Sequence, residues 1–189
     1  MKTIGVLALQ GSFLEHAQML SKITNVRPAL VKTLKELDSV DGLIIPGGES
    51  TTMGKLLKDF ELFNPLKEKI ESGLPVFGTC AGMILLAKRI SGGEPYHLGV
   101  IDITVRRNAY GSQLDSFSKN IIIDEVSPKP IEAVFIRAPW IEKAGGGVKV
   151  LASLDNNIVA ARQNNIVVTS FHPELTGDTS FHRYFADLI

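Results

Sequence analysis

Cysteine is almost missing from this sequence: a single residue, Cys80, stands in 189. One thiol cannot form an internal disulfide, and no Cys cluster or Cys/His pair at zinc spacing occurs. Neither a disulfide scaffold nor a structural metal or other cofactor is therefore expected, and the chain suits a reducing, cytoplasmic compartment. No charge of either sign is in excess, with 20 Lys+Arg against 20 Asp+Glu and a pI near 6.9. That balance lacks the broad basic surface that binds phosphate backbones, so nucleic acid is not an expected partner. Long hydrophobic runs are missing too. Apolar runs such as residues 42–46 and 84–87 fall far short of the roughly 18–20 residues that cross a bilayer. Gln10, Gly11, Ser12 and Glu15 interrupt the apolar start before a secretory core is complete, so neither a membrane nor export is expected. Repeats, low-complexity tracts and linkers are absent as well. With 44% hydrophobic residues, the length suits one domain over residues 1–189.

What is present alternates between two textures. Residues 3–9 read as a short apolar strand and residues 13–23 as a helix. A strand at 29–31, a short helix at 34–37 and a strand at 42–45, stopped by Pro46-Gly47-Gly48, continue the pattern. Helices at 52–58 and 65–72, a strand at 76–78 and a helix over 83–89 follow. Apolar strands without polar alternation, separated by amphipathic helices, indicate parallel strands covered on both faces. From Leu98 onward β-branched stretches take over, at 100–105, 120–123, 133–136, 148–151, 158–161 and 166–171. These are expected as antiparallel additions to the sheet, with Asn156-Asn157 and Asn164-Asn165 at turns, before a closing helix at 180–189. The expected fold is a three-layer α/β/α, flavodoxin-like domain with a mostly parallel central sheet and added antiparallel strands.

Gly78-Thr79-Cys80-Ala81-Gly82 falls between a predicted buried strand and a predicted helix and has the G-x-nucleophile-x-G form of an elbow. Such a turn needs small neighbours where strand and helix approach, and the positive end of the helix favours a thiolate. A lone cysteine is more often a small buried hydrophobe; the flanking glycines and the strand-to-helix position favour a nucleophile instead. A thiol needs a base, and four histidines are available. His16 and His182 lie on the first and last helices, where solvated or capping roles are the default, and His97 lies in a Gly/Pro-rich loop. His172 ends an apolar strand and is held extended by Pro173, which puts Glu174 on the same side two residues on. The carboxylate can then orient the imidazole, as in a nucleophile, base, acid triad.

Acyl transfer also requires donors for an oxyanion. The backbone N–H of Ala81, next after the nucleophile, is one. The loop Pro46-Gly47-Gly48-Glu49-Ser50 can bring a second, since paired glycines allow close approach and peptide reorientation. A plain turn before a helix capped by Ser50 or Thr51 is compatible with this. A phosphate loop is excluded by counting. Five residues separate Gly48 from Gly54-Lys55 where a Walker loop has four, and Leu56 occupies the magnesium-binding hydroxyl position. No G-x-G-x-x-G follows the first strand, which disfavours a dinucleotide-binding domain.

Together, Gly78-Thr79-Cys80-Ala81-Gly82, Pro46-Gly47-Gly48-Glu49-Ser50-Thr51-Thr52 and Phe171-His172-Pro173-Glu174-Leu175 resemble the triad-type, class I glutamine amidotransferases. Further motifs narrow the resemblance to the PdxT family, the glutaminase subunit of pyridoxal 5'-phosphate synthase. They are Gly5-Val6-Leu7-Ala8-Leu9-Gln10-Gly11 with Glu15-His16, Arg107-Asn108 with Gly111, Asp115-Ser116-Phe117, and Phe135-Ile136-Arg137-Ala138-Pro139. The resemblance spans essentially the whole chain. Arg106 and Ser112 depart from it, where an acidic residue and an arginine are usual.

The resemblance implies that Cys80 attacks the side-chain amide of L-glutamine, that His172 is base and then acid, and that Glu174 orients it. Gly48 and Ala81 would form the oxyanion hole. Gly48, Glu49, Ser50, Arg107, Ile136 and Arg137 would contact glutamine, the arginines pairing with its carboxylate. Ammonia would pass to a PdxS-type synthase subunit within a large complex around a dodecameric core. That partner would dock near Gln10, the Gly47-Gly48 loop and the first helix and would complete the site. A free-standing cysteine hydrolase of γ-glutamyl amide bonds, active without a partner, is the alternative; a silent binding module would not need all of Cys80, His172 and Glu174.

Overall fold

The computed structural model describes residues 1–111 and 116–189, so Ser112 and Asp115 lie outside the described residues. Chain order begins β1 (Lys2–Leu7), α1 (Phe13–Ser21), β2 (Val26–Val31), α2 (Leu34–Leu37), β3 (Gly42–Ile45), α3 (Ser50–Asp59), α4 (Phe63–Glu71), β4 (Val76–Thr79) and α5 (Ala81–Leu86). It continues with β5 (Ala87–Ile90), β6 (Ile101–Arg106), β7 (Ser116–Ile123), β8 (Ser127–Ile136), β9 (Trp140–Ala144), β10 (Lys149–Leu154), β11 (Asn157–Gln163) and β12 (Ile166–Thr169). A 3-10 turn (Pro173–Leu175) and α6 (Ser180–Leu188) close it. No described helix is long and apolar enough to cross a membrane.

Strands β2-β1-β3-β4-β12 lie side by side and all parallel. The inner strands β3, β4 and β12 are buried along their whole length and almost wholly apolar, because both faces are covered. Val6, Ile44, Phe77 and Val167 sit in register across four strands and pack with Leu20 of α1 and Phe181 and Phe185 of α6. The alternate residues Ile45 and Val168 face the other way, against Met53, Leu57, Leu66 and Ile70 of α3 and α4 and the apolar side of α5. This is the three-layer α/β/α arrangement expected from the sequence. Pro28 is tolerated inside β2 because that strand is the sheet edge.

Beyond β12 the sheet continues through β11, β9, β6 and β5, and here the structure departs from the sequence reading in five places. The helix expected over 83–89 stops at Leu86, and residues 87–90 become β5, parallel to β6; a non-local pairing outweighs the helical spacing of an apolar run. Strand β9 was not foreseen, yet it joins β6 to β11. Strands β7 and β8 do not extend the main sheet but form their own two-stranded sheet, whose Ile121, Ile131 and Phe135 cover the α1/α6 face. Strand β12 is antiparallel to β11 but parallel to β4, which makes it part of the parallel core. Finally, the β10–β11 turn is Asp155-Asn156, one residue earlier than expected, with φ 48 and 66, the signs that a two-residue hairpin requires.

Candidate active site

In an open parallel sheet, the loops at the carboxyl ends of adjacent strands converge. Here β1 leads to Gln10, Gly11 and Ser12, β3 to Gly47 through Ser50, β4 to Cys80, and β12 to His172 and Glu174. Cys80 has φ 48 and ψ −102, a backbone conformation that a side chain adopts only under constraint. Its N–H donates to the Thr169 carbonyl at 2.8 Å, which ties the turn to β12. The flanking glycines are dictated by contact. A Cβ on Gly78 would lie 2.6 Å from Leu86 Cδ1, and one on Gly82 would lie 2.1 Å from the Ile45 carbonyl oxygen. Gly82→Ala is accordingly expected to cost about 1–3 kcal/mol, the range of overpacked positions, as a lowered urea midpoint; an unchanged midpoint would refute the close approach of α5 to β3.

His172 is fixed by its own N–H, which donates to the Val134 carbonyl of β8 at 2.8 Å. Its Nδ1 lies 2.7 Å from Glu174 Oε1, which also accepts the Ser12 hydroxyl at 2.6 Å. The pair meets through the 3-10 turn of residues 173–175 rather than along an extended strand. Burial of the His172 ring opposes its charge, but the hydrogen bonds and charges of Cys80 and Glu174 outweigh burial and push its pKa up to about 10. Burial likewise opposes the Glu174 carboxylate and is outweighed by His16, His172 and Ser12, which bring it to about 2. Glu174 is thus anionic beside an imidazole that readily holds a proton, although the two are only 4% and 7% exposed.

A cavity of about 980 Å³ opens over these groups and is lined by Gly48, Glu49, Ser50, Cys80, Ala81, Arg107, Ile136, Arg137 and His172. Every residue expected in the triad, the oxyanion hole or the glutamine contacts borders it except Glu174, which stands behind His172. Gly47 also lines it, and a Cβ there would meet His172 Cε1 at 2.2 Å, so the imidazole requires glycine. Ala81 opens α5, where a first-turn N–H has no partner within the helix. Arg107 pairs with Glu94 at 2.8 Å and approaches Glu49 at 3.5 Å. Arg106 turns away and pairs with Glu142 on β9.

Several assignments change. Glu49, not Ser50 or Thr51, caps α3, its carboxylate accepting from Thr51 N–H, Thr52 N–H and the Thr52 hydroxyl; those bonds lower its pKa to about 2. Ser50 is instead buried, and its hydroxyl has no hydrogen-bond partner among the described residues. His16 and His182 are neither solvated nor capping but wholly buried and 2.9 Å apart. Ser12 and Gln10 also gain contacts that sequence reasoning missed. The Ser12 N–H donates to the Gly47 carbonyl at 3.0 Å, and Gln10 Oε1 accepts from Glu49 N–H at 2.9 Å. Nothing local in the sequence signals either.

Among solved structures, one described as a glutamine amidotransferase superposes with a TM-score of 0.92 at 43% identity, covering 98% of this chain and 97% of that one. A structure of PurLQS from Thermotoga maritima, at 16% identity and a TM-score of 0.71 with 99% of each chain covered, shares the fold alone. Pyridoxal 5'-phosphate synthase subunit PdxT of Clostridium botulinum is 60% identical over 184 residues, 97% of this chain and 95% of the relative. The subunit of the same name from Ruminiclostridium cellulolyticum is 56% identical over 189 residues, all of both chains. The SNO glutamine amidotransferase family model matches residues 6–189, a span that takes in every residue bordering the cavity, and the chain belongs to that family.

Proposed function

We propose that this chain, acting as one domain over residues 1–189, is the glutaminase subunit of a pyridoxal 5'-phosphate synthase. It hydrolyses L-glutamine to L-glutamate and ammonia and hands the ammonia to a PdxS-type synthase subunit. The observation that carries this reading is the 56% identity over the full length of both chains to a subunit of that name. Cys80 Sγ attacks the side-chain amide carbon of glutamine. The N–H groups of Ala81 and Gly48 receive the oxyanion. His172 gives its proton to the departing nitrogen, releasing ammonia and leaving a thioester on Cys80. Water, deprotonated by His172, then attacks the thioester and frees glutamate. Glu174 keeps His172 Nδ1 protonated, so that Nε2 is the atom that exchanges protons with Cys80, substrate and water. Arg107 and Arg137 hold the substrate carboxylate, Arg107 exchanging Glu49 or Glu94 for it.

Docking takes place at the face of Gln10, the Gly47-Gly48 loop and α1, where Leu14 and Leu175 are 54% and 42% exposed. Because Gln10 and Ser12 both bind the Gly47-to-Glu49 segment, a partner that moves them resets the oxyanion peptide. Ammonia release from glutamine is expected to be low for the chain alone and to rise about tenfold or more with the cognate synthase subunit, a barrier change of at least ~1.4 kcal/mol. Full activity without the partner would point instead to a free-standing hydrolase of γ-glutamyl amides.

A further inference from the structure

Behind the carboxylate lies a second layer of buried polar groups that the reaction above does not use. Glu174 Oε2 has no hydrogen-bond partner among the described residues and faces His16 Nε2 at 3.3 Å. The same His16 nitrogen is 3.1 Å from Thr79 Oγ1, on the residue before the nucleophile. On the other side of the ring, His16 Nδ1 lies 2.9 Å from His182 Nε2. His182 Nδ1 is buried without a hydrogen-bond partner among the described residues. Phe77 stands edge-on to both imidazoles, with centroids 6.3 and 6.1 Å away, and closes the compartment.

Only one proton arrangement suits this geometry. With the proton on His16 Nε2, an N–H faces the bare carboxylate oxygen and Thr79 Oγ1, His16 Nδ1 accepts from His182 Nε2–H, and the atom left over is a lone pair on His182 Nδ1. With the proton on His16 Nδ1, a nitrogen lone pair would face an anionic oxygen, and His182 would carry a buried N–H that nothing accepts. The second arrangement leaves a buried donor unsatisfied and sets like charge density against like, so the first prevails. Burial disfavours the doubly protonated state of both rings, lowering His16 and taking His182 to about 3.

We propose that His16 is a positioning residue for His172: held as the Nε2–H tautomer by His182, it grips the outer oxygen of Glu174 and so fixes the carboxylate that orients the base. The kinetic part rests on the glutaminase reading; the tautomer does not. Ordinary core packing would also bury two histidines, but it would not aim one at the unpartnered oxygen of the orienting carboxylate.

The test is imidazole nitrogen NMR on the full chain, with glutamine kinetics in the presence of the synthase subunit. Protons are expected on Nε2 of both His16 and His182. In His16→Leu, the downfield Nδ1–H signal of His172 should shift or broaden, and kcat should fall about 10- to 100-fold with KM little changed, the scale on which hydrogen-bond partners behind a metal-bound imidazole act. His16→Gln, whose amide N–H can reach the same oxygen, should recover most of both. A proton on His16 Nδ1 in the native chain would overturn the proposal even if no variant folds. So would a native His172 signal and kcat in His16→Leu, or equal losses in Leu and Gln variants that both fold. If the native chain releases no ammonia with its partner, the glutaminase reading fails, while the tautomer still decides the positioning.

Discussion

Cys80→Ala is expected to reduce partner-dependent ammonia release by about 10,000-fold or more, the scale on which removing a triad nucleophile acts. No other thiol exists in the chain to replace it, and the groups proposed to hold the oxyanion and the substrate carboxylate cannot form a thioester. Stability should behave differently from activity. Cys80 sits at φ 48 and ψ −102, so alanine keeps the backbone strain whereas glycine relieves it. Cys80→Gly should therefore be inactive yet more stable than Cys80→Ala by about 1 kcal/mol, read from urea midpoints. Ammonia release above a few per cent of native in either variant would remove Cys80 from the reaction. A glycine variant less stable than the alanine one would mean that the elbow stores no strain.

Glu174→Gln should follow closely in size, with a loss in kcat of about 1,000- to 10,000-fold, as when the orienting carboxylate of a triad is made an amide. The amide is isosteric, but it can offer its N–H to His172 Nδ1 and so favour the wrong tautomer. A pH signature accompanies the loss. The carboxylate is one of the groups that hold the His172 proton up to about 10. Removing an anion beside a cation lowers the pKa of the cation, so the alkaline limb of the residual kcat/KM should move to lower pH than in the native chain. The native limb should lie near 10, because the departing nitrogen needs the imidazolium proton. An alkaline limb unmoved in Glu174→Gln would show that the carboxylate does not hold the imidazolium.

Sequence reading and structure agree where the relevant constraint is local. The elbow glycines can be named because a strand-to-helix turn leaves no room for a Cβ: one added to Gly78 or Gly82 would lie within 3 Å of Leu86 or the Ile45 carbonyl. The parallel core was readable because strands covered on both faces need unbroken apolar runs, as in Leu43-Ile44-Ile45 and Val76-Phe77. Reading failed where pairing depends on distant partners. Residues 87–90 have helical spacing, yet they are drawn out by Ile101 through Val105. Trp140–Ala144 is a strand because β6 and β11 lie on either side of it.

The candidate site divides along the same line. By itself the sequence pointed to the kind of chemistry: one thiol in an elbow, a histidine followed two residues later by a carboxylate, and a paired-glycine loop. Each of these is a requirement on consecutive residues, so it is written in consecutive letters. Only the tertiary structure decided what surrounds them: that Ser12 reaches Glu174 across 162 positions and His16 reaches His182 across 166, and that Glu49 caps a helix while approaching Arg107. Such contacts form because adjacent parallel strands deliver their loops to one edge of the sheet, and no local pattern records which polar groups will meet there.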